Sequence, residues 1–157
     1  MPIWHAGKVI NFPLTMPMTA RLEHANVSVP NIDAAIDFLL TLEPGFRIRR
    51  DSGASGDYRW VHIGTDESYI ALEEPHAPNP DARMAKRYSD YGIIHLGWEV
   101  DDIAAVCARL DAKGYKQGFQ SEDHPFRIRK YYHDDAGFEW ELVEYLSDQP
   151  NERARYE

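Results

Sequence analysis

Polar and apolar residues alternate along 21–29. Ala25, Val27 and Val29 fall on one side of an extended chain, and His24, Asn26 and Ser28 fall on the other. Pro30-Asn31 closes this strand, and Asn31 is placed to cap a helix over 32–41. In that helix Ile32, Ala35, Ile36 and Leu39 recur at i, i+3, i+4 and i+7, which makes one apolar stripe. Pro44-Gly45 breaks the chain, and strands are expected near 46–50, 57–63 and 68–74. The same order then returns. A strand over 91–100 leads to a helix near 102–113 that carries Ile103, Val106, Cys107 and Leu110 on one face. Gly114 suits its C-terminal exit, and strands follow near 115–119, 126–133 and 138–145.

The two halves are related in sequence. His24-Ala-Asn-Val-Ser-Val-Pro-Asn-Ile32 aligns with His95-Leu-Gly-Trp-Glu-Val-Asp-Asp-Ile103 at an offset of 71 residues, and His62 aligns with His133 at the same offset. Tyr69-Ile70-Ala71-Leu72 aligns with Glu139-Trp140-Glu141-Leu142 at an offset of 70. The expected architecture is therefore α+β: two tandem βαβββ modules forming a curved eight-stranded sheet around a cleft, with the helices on its outer face. Module one is expected over 18–75 and module two over 91–147, with a linker over 76–90 that has room for a short helix. Residues 1–17 read as an extension or leader, with Met18 as the practical start of the fold. Residues 148–157 read as a polar, loosely held tail.

Strand parity brings chemistry to one face. Ile94, Leu96, Trp98 and Val100 oppose His95, Gly97 and Glu99; Phe138, Trp140 and Leu142 oppose Glu139, Glu141 and Val143. On the last strand of the first module, Ala71 and Glu73 oppose Ile70 and Leu72. Each apolar side belongs under a helix, which leaves His24, His95 and Glu141 on the reverse faces. Two imidazoles and a carboxylate suit a divalent metal, and three protein ligands leave positions open for water, substrate or oxygen.

Composition narrows the class of partner. A net charge of −9 repels a long polyanion, so no nucleic acid is expected and a small-molecule substrate is. No apolar run approaches the ~18 residues that a membrane span needs. Cys107 is the single cysteine, which fits a reducing cytoplasm, and its place on a helix core stripe suits an inert packing thiol.

On these residues the chain resembles the vicinal-oxygen-chelate superfamily, which includes glyoxalases, bleomycin-resistance proteins and extradiol dioxygenases. The resemblance covers roughly 21–146 and implies metal ligands on the first and last strands of each module. Those positions fall on His24, His95 and Glu141, with Glu141 four residues past Gly137 of the turn Asp134-Asp135-Ala136-Gly137. The fourth ligand position falls on Ala71, which cannot bind a metal, and Glu73 on the same face is the possible substitute. Two histidines and one glutamate are shared by extradiol dioxygenases and fosfomycin-resistance thiol transferases.

A narrower likeness is to the extradiol signature, through His124, Tyr131, Asp134, Gly137 and Glu141; Glu122, Lys130 and Asp135 depart from it. It implies His124 as acid/base and Tyr131 as a hydrogen-bond donor to substrate or oxygen. The plainer reading is a loop histidine and a sheet tyrosine. The expected function is a metal-dependent enzyme on a small molecule with vicinal oxygens, with ring-cleaving dioxygenation on Fe(II) in front. The alternatives are a glyoxalase-like lyase, isomerase or thiol transferase using Mn, Ni or Zn, with Glu73 or Glu99 as base, and a metal-free bleomycin-resistance-like binding protein. The resemblance also implies a homodimer.

Several residues keep two readings. Arg47 and Arg49, and Arg127 and Arg129, alternate with apolar neighbours, so each pair either grips an anionic substrate group or forms the solvated side of a strand. Tyr58, Trp60, Tyr131 and Tyr132 suit either an aromatic pocket or core. His62 and His133, each near a turn, read as exposed; His5 and His76 lie in unassigned segments.

Overall fold

The computed structural model describes residues 2–5, 8–11, 22–53, 58–75 and 92–156. The linker expected over 76–90 and the start of the fold at Met18 lie outside the described residues. Near the N-terminus, β1 (Pro2–His5) and β2 (Lys8–Asn11) form an antiparallel hairpin, an element the sequence pattern did not suggest.

The first repeat contains β3 (His24–Ser28), α1 (Ile32–Leu42), β4 (Arg47–Asp51), β5 (Trp60–Gly64) and β6 (Tyr69–Glu73). The second contains β7 (His95–Glu99), α2 (Ile103–Lys113), β8 (Lys116–Gln117), β9 (Arg127–His133) and β10 (Glu139–Tyr145), and the short α3 (Pro150–Arg153) follows. Both helices start as the sequence predicts. Asn31 accepts a hydrogen bond from the Ala34 amide at 3.0 Å, and Asp102 accepts one from the Ala105 amide at 2.9 Å. Gly114 ends α2 at φ 87°, a left-handed conformation that favours glycine.

The eight strands of the repeats form two mixed sheets of four, in the orders β3-β6-β5-β4 and β7-β10-β9-β8. In each sheet the first and last strands of the module are parallel neighbours, and the other pairings are antiparallel. This shared order sets His24 opposite Tyr69 and His95 opposite Glu139.

One apolar core serves both modules. Val27, Ile36, Phe38, Leu39, Val61 and Leu72 from the first join Val106, Leu110, Tyr132, Phe138, Trp140 and Leu142 from the second. Each helix covers the apolar face of its own sheet, and the two helices also meet each other. The Phe38 ring of α1 stacks on Trp140 of β10 at 5.5 Å and meets Tyr115 edge-on at 5.0 Å. Arg109 of α2 fastens the joint by donating from Nε to the Thr41 carbonyl at 3.1 Å and from Nη2 to the Leu42 carbonyl at 2.6 Å. A cationic side chain thus satisfies carbonyls that the end of α1 leaves open. The reverse faces of the two sheets, which carry His24 and His95, consequently turn away from the core between them. None of the described helices is long and apolar enough to cross a membrane.

Residues near the C-terminus contact the second sheet. Arg153 of α3 pairs with Glu99 at 2.6 Å and lies over the Tyr145 ring at 3.8 Å. The Leu146 amide donates to the Phe126 carbonyl at 2.9 Å.

Candidate metal centre

The polar face of the second sheet is built outward from its core. Trp140 and Leu142 are fully buried beneath it, which fixes the alternation of β10 and sends Glu139 and Glu141 to the reverse side. The turn before β10 is held by Asp134, itself buried. One carboxylate oxygen accepts from the Ala136 and Phe138 amides at 3.0 and 2.9 Å, and the other accepts from Trp140 Nε1 at 3.2 Å. Burial raises the Asp134 pKa above the usual carboxylate range, against those hydrogen bonds. Gly137, at φ 92°, completes the turn in a conformation that side chains rarely adopt.

Above this scaffold, His95 Nε2 lies 3.0 Å from Glu141 Oε2. Tyr131, directly opposite Glu141 on β9, donates from its hydroxyl to Glu141 Oε1 at 2.7 Å. The other ring nitrogen, His95 Nδ1, is buried and lies 3.5 Å from Glu139 Oε1, longer than an ordinary hydrogen bond. Glu139 also lies 3.7 Å from His133 Nε2. Glu139 is only 6% exposed, so a carboxylate sits almost dry between two imidazoles. Parity had put Glu139 on this face, yet its place between His95 and His133 follows only from the strand register.

The first sheet has its own polar face. His24 hydrogen-bonds to the Glu23 carboxylate, and its ring stacks on Tyr69 at 4.9 Å. Tyr69 also contacts His62 at 4.7 Å and carries the Arg49 guanidinium 4.4 Å from its ring centre. His62 is half-buried, and its pKa is lowered by desolvation, then by the charge of Arg49. It was expected to be exposed and instead lies on the same face as His24. Glu73 accepts from Asn26 Nδ2 at 3.0 Å, and Ala71 is buried.

Register also corrects one element of the repeat. His62 stands opposite Ala71, whereas the residue opposite Glu141 is Tyr131. The structural counterpart of His62 is therefore Tyr131, and that of His133 is Gly64, which stands opposite Tyr69 as His133 stands opposite Glu139.

The structure brings His95, Glu141 and Tyr131 together. His24 lies on the other sheet, and among the described residues no group of three or more His, Cys, Asp or Glu side chains is arranged to hold a metal ion within one chain. His124 pairs with Arg127 at the far end of β9. Its Nδ1 accepts from the Phe126 amide at 3.2 Å, and it makes no hydrogen bond to His95, Glu141 or Tyr131. Glu99 is held by Arg153. Tyr132 is core, with its hydroxyl donating to Asp111 at 2.8 Å, while Trp60 is half-buried and Tyr58 lies at the surface.

Residues 21–142 match the Glyoxalase/Bleomycin resistance protein/Dioxygenase superfamily. The chain belongs to this superfamily. No curated protein matches it. Among solved structures it is similar to a glyoxalase family protein from Bacillus cereus. That likeness has 18% identity, spans 86% of this chain and 100% of the other, and has a TM-score of 0.66. It is also similar to the fosfomycin resistance protein FosX from Listeria monocytogenes, at 15% identity over 87% of this chain and 97% of the other, with a TM-score of 0.62. The same FosX complexed with Mn(II) and sulfate matches at 16% identity over 88% of this chain and 100% of the other, with a TM-score of 0.57. At these identities the likeness to solved structures establishes the superfamily fold, two tandem modules of strands and helix, and nothing finer.

Proposed function

We propose that this member of the superfamily is a metal-dependent enzyme acting on a small molecule through vicinal oxygens. His95 and Glu141 of one subunit would hold the ion together with the partner subunit's His24. The observation that carries this reading is the convergence of His95 Nε2 and Glu141 Oε2 at 3.0 Å on a sheet face turned away from the core.

The donor chemistry fits. An imidazole nitrogen and a carboxylate oxygen suit a first-row divalent ion, and each is supported from behind. Tyr131 occupies one oxygen of Glu141, leaving the other toward His95. Glu139 Oε1 lies 3.5 Å from Nδ1, and Nε2 is the ring nitrogen that meets Glu141. The packing of α1 on α2 argues for the second subunit. Within one chain the polar faces of the two sheets turn away from their common core, so a homodimer that apposes them supplies the missing imidazole.

When bound, the ion would act as a Lewis acid on the substrate oxygens. Tyr131 would keep the Glu141 carboxylate oriented, and Glu139 would stand beside the pair, between His95 and His133. FosX is a structural neighbour that holds Mn(II), with sulfate in one complex and dihydroxypropylphosphonic acid in another. Mn(II) is therefore the first ion to test, ahead of Fe(II), Ni or Zn. Ring cleavage would use His124 as its acid/base, and the Nδ1 of that ring accepts the Phe126 amide proton.

Elemental analysis and Mn(II) titration of the protein purified in metal-free buffer, with His95→Ala and Glu141→Gln beside it, test the proposal. One saturable site per chain, lost in both variants, is the expected result. Metal binding unchanged in both variants, or no binding of any divalent ion, would leave a metal-free binding protein as the better account.

A further inference from the structure

Two side-chain N–H groups at the far end of β9 are buried and make no hydrogen bond, Arg127 Nε and Arg129 Nε, and His124 lies beside them. Buried polar groups are nearly always satisfied, so two unsatisfied guanidinium donors on one strand call for an acceptor. Arg127 is only 8% exposed. Neither Arg127 nor Arg129 forms an ion pair among the described residues, and a buried guanidinium without a countercharge is costly.

Arg127 and Arg129 share one face, and His124 shares their chemistry as a donor. Arg127, Arg129 and Tyr131 alternate along β9 on the side that carries Glu141, opposite Tyr145, Val143 and Glu141 in turn. His124 pairs with Arg127. Its Nδ1 accepts the Phe126 amide proton, so the neutral ring carries its own proton on Nε2 and can only donate there. Desolvation first, then the charge of Arg127, lowers the His124 pKa, and a backbone hydrogen bond with Arg155 acts against them. All three groups are therefore donors, two of them cationic, and none can satisfy another.

The C-terminal residues close this end of the face. The Arg127 guanidinium lies 4.7 Å from the Tyr156 ring centre, and that of Arg155 lies 5.7 Å from the Phe126 ring centre. Arg129 is two residues from Tyr131, about 7 Å along the strand, which is the reach of a small substrate from the His95–Glu141 pair.

We propose that Arg127, Arg129 and His124 form a subsite for a compact oxyanion: a carboxylate, phosphate or phosphonate group carried by the substrate. The assignment to substrate rests on the metal-enzyme reading; the oxyanion site itself does not. Guanidinium forks and an imidazole N–H match the oxygens of such a group, whereas a neutral ligand would leave the buried Arg127 charge uncompensated. The enzyme would then take small anionic molecules despite its own net charge of −9.

Titrating inorganic phosphate and, separately, acetate into the metal-free protein, followed by calorimetry and by the 31P line width of phosphate, tests the subsite. Saturable phosphate binding at one site per chain is expected, weakened at least about tenfold by Arg127→Gln or Arg129→Gln and less by Arg129→Lys, which keeps the charge but loses the fork. Tighter phosphate than acetate would assign a phosphoryl or phosphonyl group, and the reverse a carboxylate. Circular dichroism identifies any variant that fails to fold; Arg129→Lys, the mildest change, then carries the comparison. Phosphate and acetate that both fail to bind, or that bind the wild type and folded arginine variants equally, would overturn the subsite. Repeating the titration in His95→Ala separates the two proposals: phosphate binding there, in a protein that takes up no metal, upholds the subsite whatever becomes of the enzyme.

Discussion

Tyr131 Oη donates to Glu141 Oε1 at 2.7 Å, while Glu141 Oε2 faces His95 Nε2 at 3.0 Å. One carboxylate is thus held by a hydroxyl on one side and offered to an imidazole on the other. Tyr131→Phe keeps the buried ring and removes the hydroxyl that donates to Glu141. Divalent-metal affinity is expected to fall by roughly 10- to 100-fold, the usual loss when the support of a ligand is removed. The melting temperature should change little by comparison. Mn(II) titration followed by electron paramagnetic resonance measures the first and calorimetry the second. Unchanged affinity would show that Tyr131 has no part in positioning Glu141.

Asp134 acts one step further back. Its carboxylate receives two backbone amides and the Trp140 indole, and so sets the turn that launches β10. Asp134→Ala leaves these donors without a partner in a buried place and is expected to lower stability by about 3 kcal/mol. Urea denaturation of the apoprotein measures this. A change of less than about 1 kcal/mol would mean that the core beneath Trp140 sets the turn without Asp134.

The joint between modules depends on Arg109. Arg109→Met keeps most of the aliphatic stem and removes the hydrogen bonds to the Thr41 and Leu42 carbonyls. A loss of about 1–3 kcal/mol is expected, because hydrogen bonds from a charged donor are lost at a partly buried helix end. Thermal unfolding in two steps rather than one would place the effect at the joint itself. Stability equal to wild type would show that the joint is carried by Phe38, Tyr115 and Trp140 alone.

His124 supplies the pH dependence. Its folded pKa is lowered, by desolvation and then by Arg127, so the unfolded chain binds the proton more readily than the fold does. The resulting stability is present above the ordinary histidine pKa of about 6.5 and is lost as the pH falls through the lower folded value. Histidine ring resonances followed by NMR should give a midpoint for His124 below 6.5. Saturating phosphate should move that midpoint upward, because an anion offsets Arg127 and Arg129. A midpoint at or above the ordinary value in the free protein would contradict this arrangement.

The sequence made the two faces of each strand legible because large apolar residues leave only one orientation for their neighbours. Trp140 and Leu142 alone send Glu141 outward, and Val27 and Val29 do the same for His24. What the pattern could not reach is how two faces meet. That depends on α1 packing against α2, and periodicity does not encode which sheet lies across from which. The match of His62 with His133 failed for a local reason. Nine residues separate His62 from Ala71 and ten separate Tyr131 from Glu141, so the second hairpin is one residue longer and the register shifts. Arg127 kept two readings in the sequence, because alternation cannot show that its guanidinium meets the Tyr156 ring near the C-terminus.

The central claim is that one metal site draws on two subunits. Metal content after mixing His24→Ala with Glu141→Ala tests it most directly. Each variant alone should bind no ion at this site. If the ligands come from different subunits, every mixed dimer regains one intact site of its two, so random reassortment should restore about a quarter of the wild-type metal. No recovery in dimers shown to have exchanged subunits, or full binding by either variant alone, would contradict the account.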